Sequence, residues 1–498
     1  MCQHTLEAIG KKLNAKTKKA LINQDKKNIW HPFTQMAEWI NNDPCEPLII
    51  DKAKGSYLYD INGKKYLDGV SSLWVTLLGH GNPKIDKAIN AQLKKVAHTT
   101  FLGLTHKPAI ELSEKLLKLL PSNLTKVFYS DNGSTAVEVA LKMAYQYWQF
   151  KKEQSSEQSS ERSSFLSLKN AYHGDTIGAV SVGGTSMFHS KFKKLLFKGY
   201  FAQSPYCYRC PHRKNELLFP SNAKNFREHN KIMGCKGECI KEVKGLLDAN
   251  HKKIAAAIIE PLNQAAGGMI VMPKGYLKEY AALCKKYKIP LICDEVATGF
   301  GRTGKMFAIE HEGVRPDFIC LSKGITGGYL PLAVTVTTDS IFNAFLGKNE
   351  EFKTFFHGHS YTANPLACAA ANATLDILKK DKLLQKLQPK IAHLKKELCS
   401  LAKHPKVGNI RHCGMMAGIE IVQDKKGSKA AGKAANYVGG KAYDYELKTG
   451  SRICAAMRKN GVIIRPLGDT LVLFLHLTMT KKEITKIIDA IRKQIDKL

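Results

Sequence analysis

The stretch IPLICDEVATGFGRTGKMFAIEHEGVRPDFICLSKGITGGYLP, residues 289–331, contains two short apolar runs, and a charged side chain follows each of them. Asp294 follows PLIC, and Lys323 follows FICLS. Short apolar runs bounded by turn residues are typical of buried strands. A charged group at the end of such a strand is costly unless it has a partner or a task. Both residues are therefore candidates for a functional site.

Similar strands alternate with helical stretches from about residue 120 to about residue 340. The other predicted strands are KVFYSD, SFLSLKNAY and KIAAAIIEP, and the clearest helices are STAVEVALKMAYQYW and KGYLKEYAALCKKYK. This alternation predicts an α/β fold, with a mostly parallel sheet and helices on both faces. Beyond about residue 365, a long helix followed by further helices and strands predicts a smaller α+β domain.

We predict three regions from these changes of pattern. Residues 1–80 form an N-terminal segment that contributes to the small domain and the active site, residues 81–365 form the large domain, and residues 366–498 form the C-terminal small domain. An excursion over residues 204–250 carries pairs of cysteines, and a Gly/Ala/Lys-rich loop runs from about 424 to 450. The sequence assigns no role to that loop.

The formal net charge of +33 raises the question of a nucleic-acid or membrane partner. Lysines are spread along the whole chain, Lys and Arg never occur three times in succession, and no nucleic-acid-binding motif accompanies them. We therefore predict a lysine-rich solvated surface and no specific nucleic-acid partner, although the sequence gives no reason for so high a charge. No apolar run reaches the roughly eighteen residues of a membrane span, and we expect a cytoplasmic protein without a membrane partner.

Four of the thirteen cysteines differ from the rest, which lie mostly in apolar runs. Cys207 and Cys210 form CYRC, and Cys235 and Cys239 form CKGEC. This arrangement is close to the paired spacing of zinc ligands, although the second pair has three intervening residues rather than two. A structural metal at the four cysteines stays open, and we predict no metal in the functional site.

Several other residues stand at the ends of predicted strands, where open α/β sheets bind ligands. Gly133 and Ser134 precede a helix, so their backbone suits an anion, although an ordinary helix cap is the alternative. Tyr172 offers an aromatic face, or else packs in the core. Arg302 and Arg465 suit the binding of carboxylates, although such arginines often form only surface ion pairs.

One cofactor requires all of these groups together. Pyridoxal phosphate needs a lysine for its aldehyde, an aspartate that keeps its ring nitrogen protonated, an aromatic face and a phosphate cup.

Glu295 is adjacent to Asp294, but neighbouring residues of a strand point to opposite faces, so we expect only one of the two carboxylates in the pocket.

The segment from CDEVATGFGRTGK to LSKGITGGYLPLA, followed by FHGHSYTANPLACAAA, resembles the class III, fold-type I pyridoxal-phosphate aminotransferases. The similarity covers nearly the whole chain. Within that family, IWHPFTQM (29–36), DGVSSLWV (68–75) and SDNGSTAVEVALKMAYQYW (130–148) resemble the biotin-pathway branch. The resemblance implies transamination of 8-amino-7-oxononanoate to 7,8-diaminononanoate, with S-adenosylmethionine as the first choice of donor. Lysine as donor, or a transaminase for another ω-amine, is the alternative.

The resemblance also implies roles for individual residues. Lys323 binds the cofactor and moves protons, and Asp294 contacts the ring nitrogen. Gly133 and Ser134 hold the phosphate, and His359 and Ser360 complete the phosphate site from the neighbouring subunit of a homodimer. The implied substrate site consists of Phe33, Leu73, Trp74, Tyr172, Arg302, Lys323, Gly358 and Arg465, of which Tyr172 also lines the cofactor site and Arg465 receives the carboxylate of the acceptor.

The chain departs from the family pattern at three places. Phe33 stands where many members have tyrosine, so an aromatic face is kept without the hydroxyl. Leu73 stands where many have a second tryptophan, and His359-Ser360 stands where the phosphate site often has Pro-Thr. The first two departures change the wall of the substrate pocket. The usual donor in the family is S-adenosylmethionine, but some members with segments similar to HPFTQM, SSLW and CYRC use lysine, so the sequence leaves the amino donor open.

Overall fold

The structure, a computed structural model, describes residues 15–153, 162–215, 219, 223–425 and 439–498. Residues 426–438 of the loop predicted for 424–450 fall outside the described residues, and α15 (Thr449–Met457) begins before the predicted end of that loop.

The N-terminal part supplies short elements that precede the large sheet. Its helices and strands are α1 (Ala15–Asn28), α2 (Met36–Ile40), β1 (Ile50–Lys54), β2 (Tyr57–Asp60), β3 (Lys65–Asp68), α3 (Ser71–Trp74), α4 (Pro83–Leu93) and α5 (Lys107–Leu117). The strands β1, β2 and β3 form an antiparallel meander, and β3 pairs in parallel with β15 (Val462–Ile463) near the other end of the chain. This pairing joins the N-terminal segment to the C-terminal part.

The central part contains the largest sheet and the helices that cover it. Its elements are β4 (Leu124–Ser130), α6 (Gly133–Glu153), β5 (Ser164–Leu168), α7 (Ile177–Val182), α8 (Ser186–His189), β6 (Tyr200–Ala202), α9 (Phe226–Met233), α10 (Glu238–Asn250), β7 (Ile254–Ile259), β8 (Asn263–Gln264), β9 (Ile270–Val271), α11 (Tyr276–Lys286), β10 (Leu291–Asp294), β11 (Phe318–Leu321), β12 (Ala333–Thr338) and α12 (Asp339–Phe342).

The seven-stranded sheet has the order β4-β12-β11-β10-β7-β5-β6. The strands from β11 to β6 are parallel, and β12 runs antiparallel to both of its neighbours. All residues of β7, β10 and β11 are buried, as expected for parallel strands covered on both faces. The prediction of a mostly parallel sheet is confirmed.

Alternate residues of these strands contribute to two different hydrophobic cores. Ile292 and Phe318 pack in one core with residues of α6, whereas Cys293 and Ile319 belong to the other core, together with Tyr280 of α11. Because successive side chains of a strand point to opposite faces, helices cover both sides of the sheet, as predicted.

The C-terminal part forms a second, antiparallel sheet with the order β13-β14-β17-β16. Its elements are α13 (Pro365–Lys380), α14 (Leu383–Leu401), β13 (Val407–Cys413), β14 (Met416–Ile421), α15 (Thr449–Met457), β15, β16 (Arg465–Leu467), β17 (Thr470–Phe474) and α16 (Lys481–Ile495). Local sequence fixes the helix starts: Asn364 caps α13 before Pro365, and Thr480 forms a capping box with Glu483 in α16. The predicted α+β character of this part is confirmed, whereas the predicted domain boundaries stay predictions.

A buried ion pair within this second sheet includes an arginine that also binds the rest of the molecule. Arg411 Nη1 lies 2.6 Å from Glu420 Oε2, and the same guanidinium donates to the backbone oxygens of Gly268 and Met269. Burial alone would raise the pKa of Glu420, but Arg411 and Arg209 outweigh it and hold that pKa below its usual value. The second sheet is thereby tied to the loop between β8 and β9.

We expect Glu420→Gln to lower the free energy of unfolding by about 3–5 kcal/mol, because it leaves the Arg411 guanidinium buried without its opposite charge. Denaturant unfolding followed by circular dichroism measures this change. Glu114→Gln, which breaks an exposed pair with Lys118, serves as the control and should leave the unfolding midpoint unchanged. Equal midpoints for the two variants would contradict the prediction.

Candidate active site

A cavity of about 710 Å³ lies at the carboxyl ends of the parallel strands. Residues that follow β4, β5, β7, β10 and β11 all contribute to its wall, because parallel strands end at the same edge of a sheet. The lining includes Gly133, Ser134, Tyr172, His173, Gly174, Asp175, Glu260, Asp294 and Lys323. Together with Trp74, which also lines this cavity, six residues predicted from the sequence thus lie around it.

Lys323 opens a short 3₁₀ turn directly after β11 and has a positive φ of 45°. Its Nζ lies 4.9 Å from the centroid of the Trp74 ring. Burial lowers the pKa of Lys323, although the Asp294 and Glu260 carboxylates act in the opposite direction. A larger fraction of neutral amine makes this lysine a better nucleophile and proton acceptor than a surface lysine.

Asp294 ends β10, and its side chain is 5% exposed. Its Oδ2 lies 2.7 Å from Nδ1 of His173, and its Oδ1 accepts a hydrogen bond from the backbone N–H of Val296. The sequence analysis did not predict this contact of His173 with Asp294. The neighbouring Glu295 accepts from the N–H groups of Ala308 and Ile309 and does not line the cavity, as expected.

Glu260 is a buried carboxylate of this cavity that sequence reasoning missed. It follows β7 and accepts hydrogen bonds from the backbone N–H groups of Tyr172 and Ala265, each at 3.0 Å. Burial, reinforced by Asp294, raises the pKa of Glu260 to about 7, while His173 acts against the rise. The sequence did carry a signal, because Glu260 follows an apolar strand in the same way as Asp294.

The start of α6 forms another side of the cavity. Asn132 caps this helix through its side chain, which accepts from the N–H of Thr135. Backbones approach closely here: a Cβ atom on Gly133 would lie 2.5 Å from Val296, and one on Gly174 would lie 2.1 Å from Ser134 Oγ. The close packing requires both glycines and leaves the start of a 21-residue helix facing the cavity.

A second cavity of about 230 Å³ adjoins the first. Its lining residues are Phe33, Leu73, Trp74, Val75, Tyr172, Phe188, Ala266, Lys323, Arg465 and Leu467, of which Trp74, Val75, Tyr172 and Lys323 also line the larger cavity. The wall is apolar apart from Lys323, Arg465 and the Tyr172 hydroxyl, which donates to Asp175. Burial lowers the pKa of Arg465, partly offset by Tyr172. An elongated apolar molecule with one anionic end fits these walls.

Four predicted site residues do not line either cavity within this chain: Arg302, Gly358, His359 and Ser360. Arg302 is buried behind the wall, where its guanidinium binds backbone oxygens rather than facing the cavity. His359 reaches only the edge of the site, with Nδ1 2.8 Å from a carboxylate oxygen of Asp131.

The cysteine excursion lies outside both cavities. Cys207 Sγ lies 3.2 Å from Nε2 of His229. Burial raises the pKa of the Cys207 thiol, and it raises that of Cys239 to about 12. Among the described residues, no three His, Cys, Asp or Glu side chains are arranged to hold a metal ion. None of the described helices is long and apolar enough to span a membrane.

Because the pKa of Glu260 is raised, we expect the stability of the folded protein to depend on pH through this residue. Glu260 has its usual pKa of 4.5 in the unfolded chain and a pKa of about 7 in the folded protein. The contribution of Glu260 to the free energy of unfolding is therefore fully present below pH 4.5 and is lost as the pH rises through about 7. Glutamine carries no charge at any pH. The Tm of Glu260→Gln relative to wild type should therefore rise by about 2–4 °C from pH 5 to pH 8. A Tm difference that stays constant across this range would contradict the assignment.

Comparisons with known proteins agree with this geometry. The family model of class III aminotransferases matches residues 40–495. The adenosylmethionine-8-amino-7-oxononanoate aminotransferase of Geobacter sulfurreducens is 45% identical over 471 residues, which cover 95% of this chain and 96% of that protein. The protein of the same name from Staphylococcus aureus is 44% identical over 475 residues, which cover 95% and 97% of the two chains.

Solved structures give the same result. The crystal structure of adenosylmethionine-8-amino-7-oxononanoate aminotransferase from Methanocaldococcus jannaschii superposes with a TM-score of 0.84 at 41% identity, covering 96% of this chain and 99% of that one. An amine transaminase from an uncultivated Pseudomonas species, solved in a pyridoxal-phosphate-bound form, has a TM-score of 0.82 at 33% identity, covering 94% and 98%. The chain therefore belongs to the class III aminotransferases, a family of pyridoxal-phosphate-dependent enzymes with the fold-type I architecture.

Proposed function

We propose that this enzyme transfers an amino group to the C7 ketone of 8-amino-7-oxononanoate and so makes 7,8-diaminononanoate for biotin synthesis, with S-adenosylmethionine as the donor. The observation that carries the proposal is the apolar cavity that connects Lys323 to Arg465. It fits a keto acid whose ketone lies at Lys323 and whose carboxylate lies at Arg465. The names of the relatives described above agree with this substrate.

The residues of the larger cavity fit pyridoxal phosphate. The start of α6 at Gly133 and Ser134 suits the phosphate, and Asp294 is placed to contact the ring nitrogen, with the Tyr172 side chain lining the same cavity. Nε2 of His173 and Nε1 of Trp74 are buried there without a protein partner among the described residues, which leaves two polar groups available to a bound molecule. When bound, the cofactor supplies an electron sink for the negative charge that develops on the α-carbon of the donor.

The protein's own groups would then position the reactants and move the proton. Lys323 lines both cavities, and its lowered pKa would suit it to take up the proton of the donor α-carbon and to release it again. Asp294 would keep the ring nitrogen protonated, and the short contact with His173 fixes the orientation of the carboxylate. The apolar walls exclude water from the reacting atoms.

The donor depends on the wall formed by Phe33, Leu73 and Phe188. The rings of Phe33 and Phe188 contact each other edge to face at 6.0 Å, and aromatic faces attract a cationic group such as a sulfonium. The same faces attract the ammonium group of lysine, so the preference for S-adenosylmethionine rests on the names of the relatives and on the lack of a carboxylate for that ammonium group in the lining of the smaller cavity.

We propose a cytoplasmic homodimer in which His359 and Ser360 complete the phosphate site of the neighbouring subunit, with Gly358 as part of the substrate site. Large apolar side chains beside this segment support the proposal, because Phe356 is 74% exposed and Tyr361 is 64% exposed. Exposed apolar surface of this kind is typical of an interface between subunits.

The substrate assignment predicts that purified enzyme forms diaminononanoate from 8-amino-7-oxononanoate with S-adenosylmethionine, and that Lys323→Ala forms none. Chromatography of the product with each donor in turn measures this. Product formed with lysine and not with S-adenosylmethionine would show that lysine is the donor. Phe33 and Leu73 would then be the first positions to substitute in a search for the cause of this donor preference. A wild-type enzyme that uses neither donor, while aminating other keto compounds, would remove the substrate assignment and keep the family.

The role of Lys323 predicts where the cofactor is attached. Reduction of the loaded enzyme with borohydride should fix the cofactor permanently to the peptide that contains Lys323, as read by mass spectrometry. Lys323→Ala should carry no fixed cofactor, whereas Lys305→Ala, at an exposed lysine of the same segment, should behave like wild type. Attachment at any other lysine would contradict the assignment.

A further inference from the structure

The wall of the smaller cavity is formed by a backbone segment of unusual geometry. In α3, Ser71, Ser72, Leu73 and Trp74 have φ values of 49°, 45°, 67° and 74°, so four successive residues with side chains lie in the left-handed region. L-residues rarely adopt this conformation, and a run of four requires strong support from its surroundings. Leu73 is 47% exposed, and both it and Trp74 line the cavity.

The Asp68 carboxylate accepts hydrogen bonds from the backbone N–H groups at the start of this turn. One carboxylate oxygen accepts from the backbone N–H groups of Val70 and Ser72 at 3.2 and 3.1 Å. The other oxygen accepts from Ser72 Oγ at 2.8 Å and lies 3.0 Å from Nε2 of His80. Asp68 is fully buried, and burial acts to raise its pKa, but the hydrogen bonds from His80 and Ser72 outweigh burial and leave the pKa below its usual value.

The Arg302 guanidinium donates hydrogen bonds to oxygen atoms of the turn and of the residues after it. Nη2 donates to the carbonyl oxygens of Trp74 and Thr76 at 3.2 and 2.9 Å, and Nη1 donates to Ser71 Oγ at 3.2 Å. Nη1 also donates to the carbonyl oxygen of Leu475, so the turn is tied to the residue after β17. The guanidinium group is committed to the protein itself, which corrects the expectation that it binds a substrate carboxylate.

We propose that Asp68 and Arg302 are positioning residues that together hold the left-handed turn 71–74, and that this turn sets which substrates fit the cavity. The proposal rests on the proposed function for the use of this cavity as the substrate site. The turn places the Leu73 side chain at the cavity and holds the Trp74 ring stacked on Phe474, with ring centroids 5.0 Å apart. Both side chains would lose their positions if the backbone relaxed to ordinary φ values.

The same chain contains a matched control. Asp60 is also a buried aspartate of the β1-β2-β3-β15 sheet, accepting from the backbone N–H groups of Asn62 and Lys64 and from the Tyr66 hydroxyl. Its hairpin contributes no residue to either cavity. Asp60 and Asp68 therefore make the same kinds of contact, and only Asp68 holds a turn that lines the substrate cavity.

The test compares Asp68→Ala with Asp60→Ala in the loaded enzyme, using steady-state kinetics, cofactor affinity and thermal melting. Asp68→Ala should raise the KM of the acceptor about tenfold or more, because the wall of its cavity is displaced. Its cofactor affinity should change less than its KM, because the turn contributes only Trp74 to the lining of the larger cavity and no residue to the phosphate and ring-nitrogen sites. Asp60→Ala should lower the Tm while leaving the KM within about twofold of wild type.

An unchanged KM in Asp68→Ala would overturn the proposal. A loss of cofactor affinity by as large a factor as the rise in KM would also overturn it. Should Asp68→Ala fail to fold, Asp68→Asn with Asp60→Asn decides by the same criterion, since asparagine keeps the shape of the side chain. The kinetics use whichever donor and acceptor the wild type converts. A wild type that ignores 8-amino-7-oxononanoate therefore removes the proposed substrate without deciding the role of Asp68.

Discussion

The parallel pairing of β10 with β7 and β11 is the constraint on which the site depends. Ile259 pairs with Cys293, and Asp294 pairs with Cys320. This register places Glu260 and Asp294 at the same level on neighbouring strands and brings Lys323 to the same edge three residues beyond Cys320. The resulting group of two carboxylates and one amine is largely removed from water, so each charge affects the others more strongly than at the surface. A shift of one residue in either strand would turn Asp294 or Glu260 to the opposite face.

The left-handed turn is the second requirement, and its energetics explain why two charged residues support it. A left-handed conformation costs roughly 1–2 kcal/mol per residue, so four residues cost on the order of 4–8 kcal/mol. Hydrogen bonds that involve a charged group contribute about 1.5–3 kcal/mol each. Asp68 receives three from the turn and its approach, and Arg302 donates three to the turn and its exit. Each residue supplies half of these hydrogen bonds, so loss of either one removes half of the support of the turn.

The sequence predicted the parts of the site that depend on a local pattern. Asp294, Lys323 and Tyr172 follow recognisable strands, and the convergence of parallel strand ends then predicts that they meet. Glu260 gives the same signal and was overlooked. Arg302 is different, because a buried arginine beside glycines reads the same whether it binds a ligand carboxylate or backbone oxygens. Only the fold brings Arg302 to residues 71–76, more than two hundred positions away in the chain. Positive φ values at non-glycine residues have no clear signal in the sequence either.

The two cavities differ in how they are built, and this difference explains how the family keeps one chemistry while its substrates vary. The larger cavity is made from the ends of strands in one sheet, where a change of position would disturb the core on both faces. The smaller cavity is assembled from segments distant in the sequence, including Phe33 before α2, Leu73 in α3, Phe188 in α8 and Arg465 in β16. Substitutions in those segments alter the shape of the substrate wall without moving Asp294 or the start of α6. Two of the three departures from the family pattern, Phe33 and Leu73, fall on this wall, and none of the three falls on the ends of the strands that hold Asp294 and Lys323.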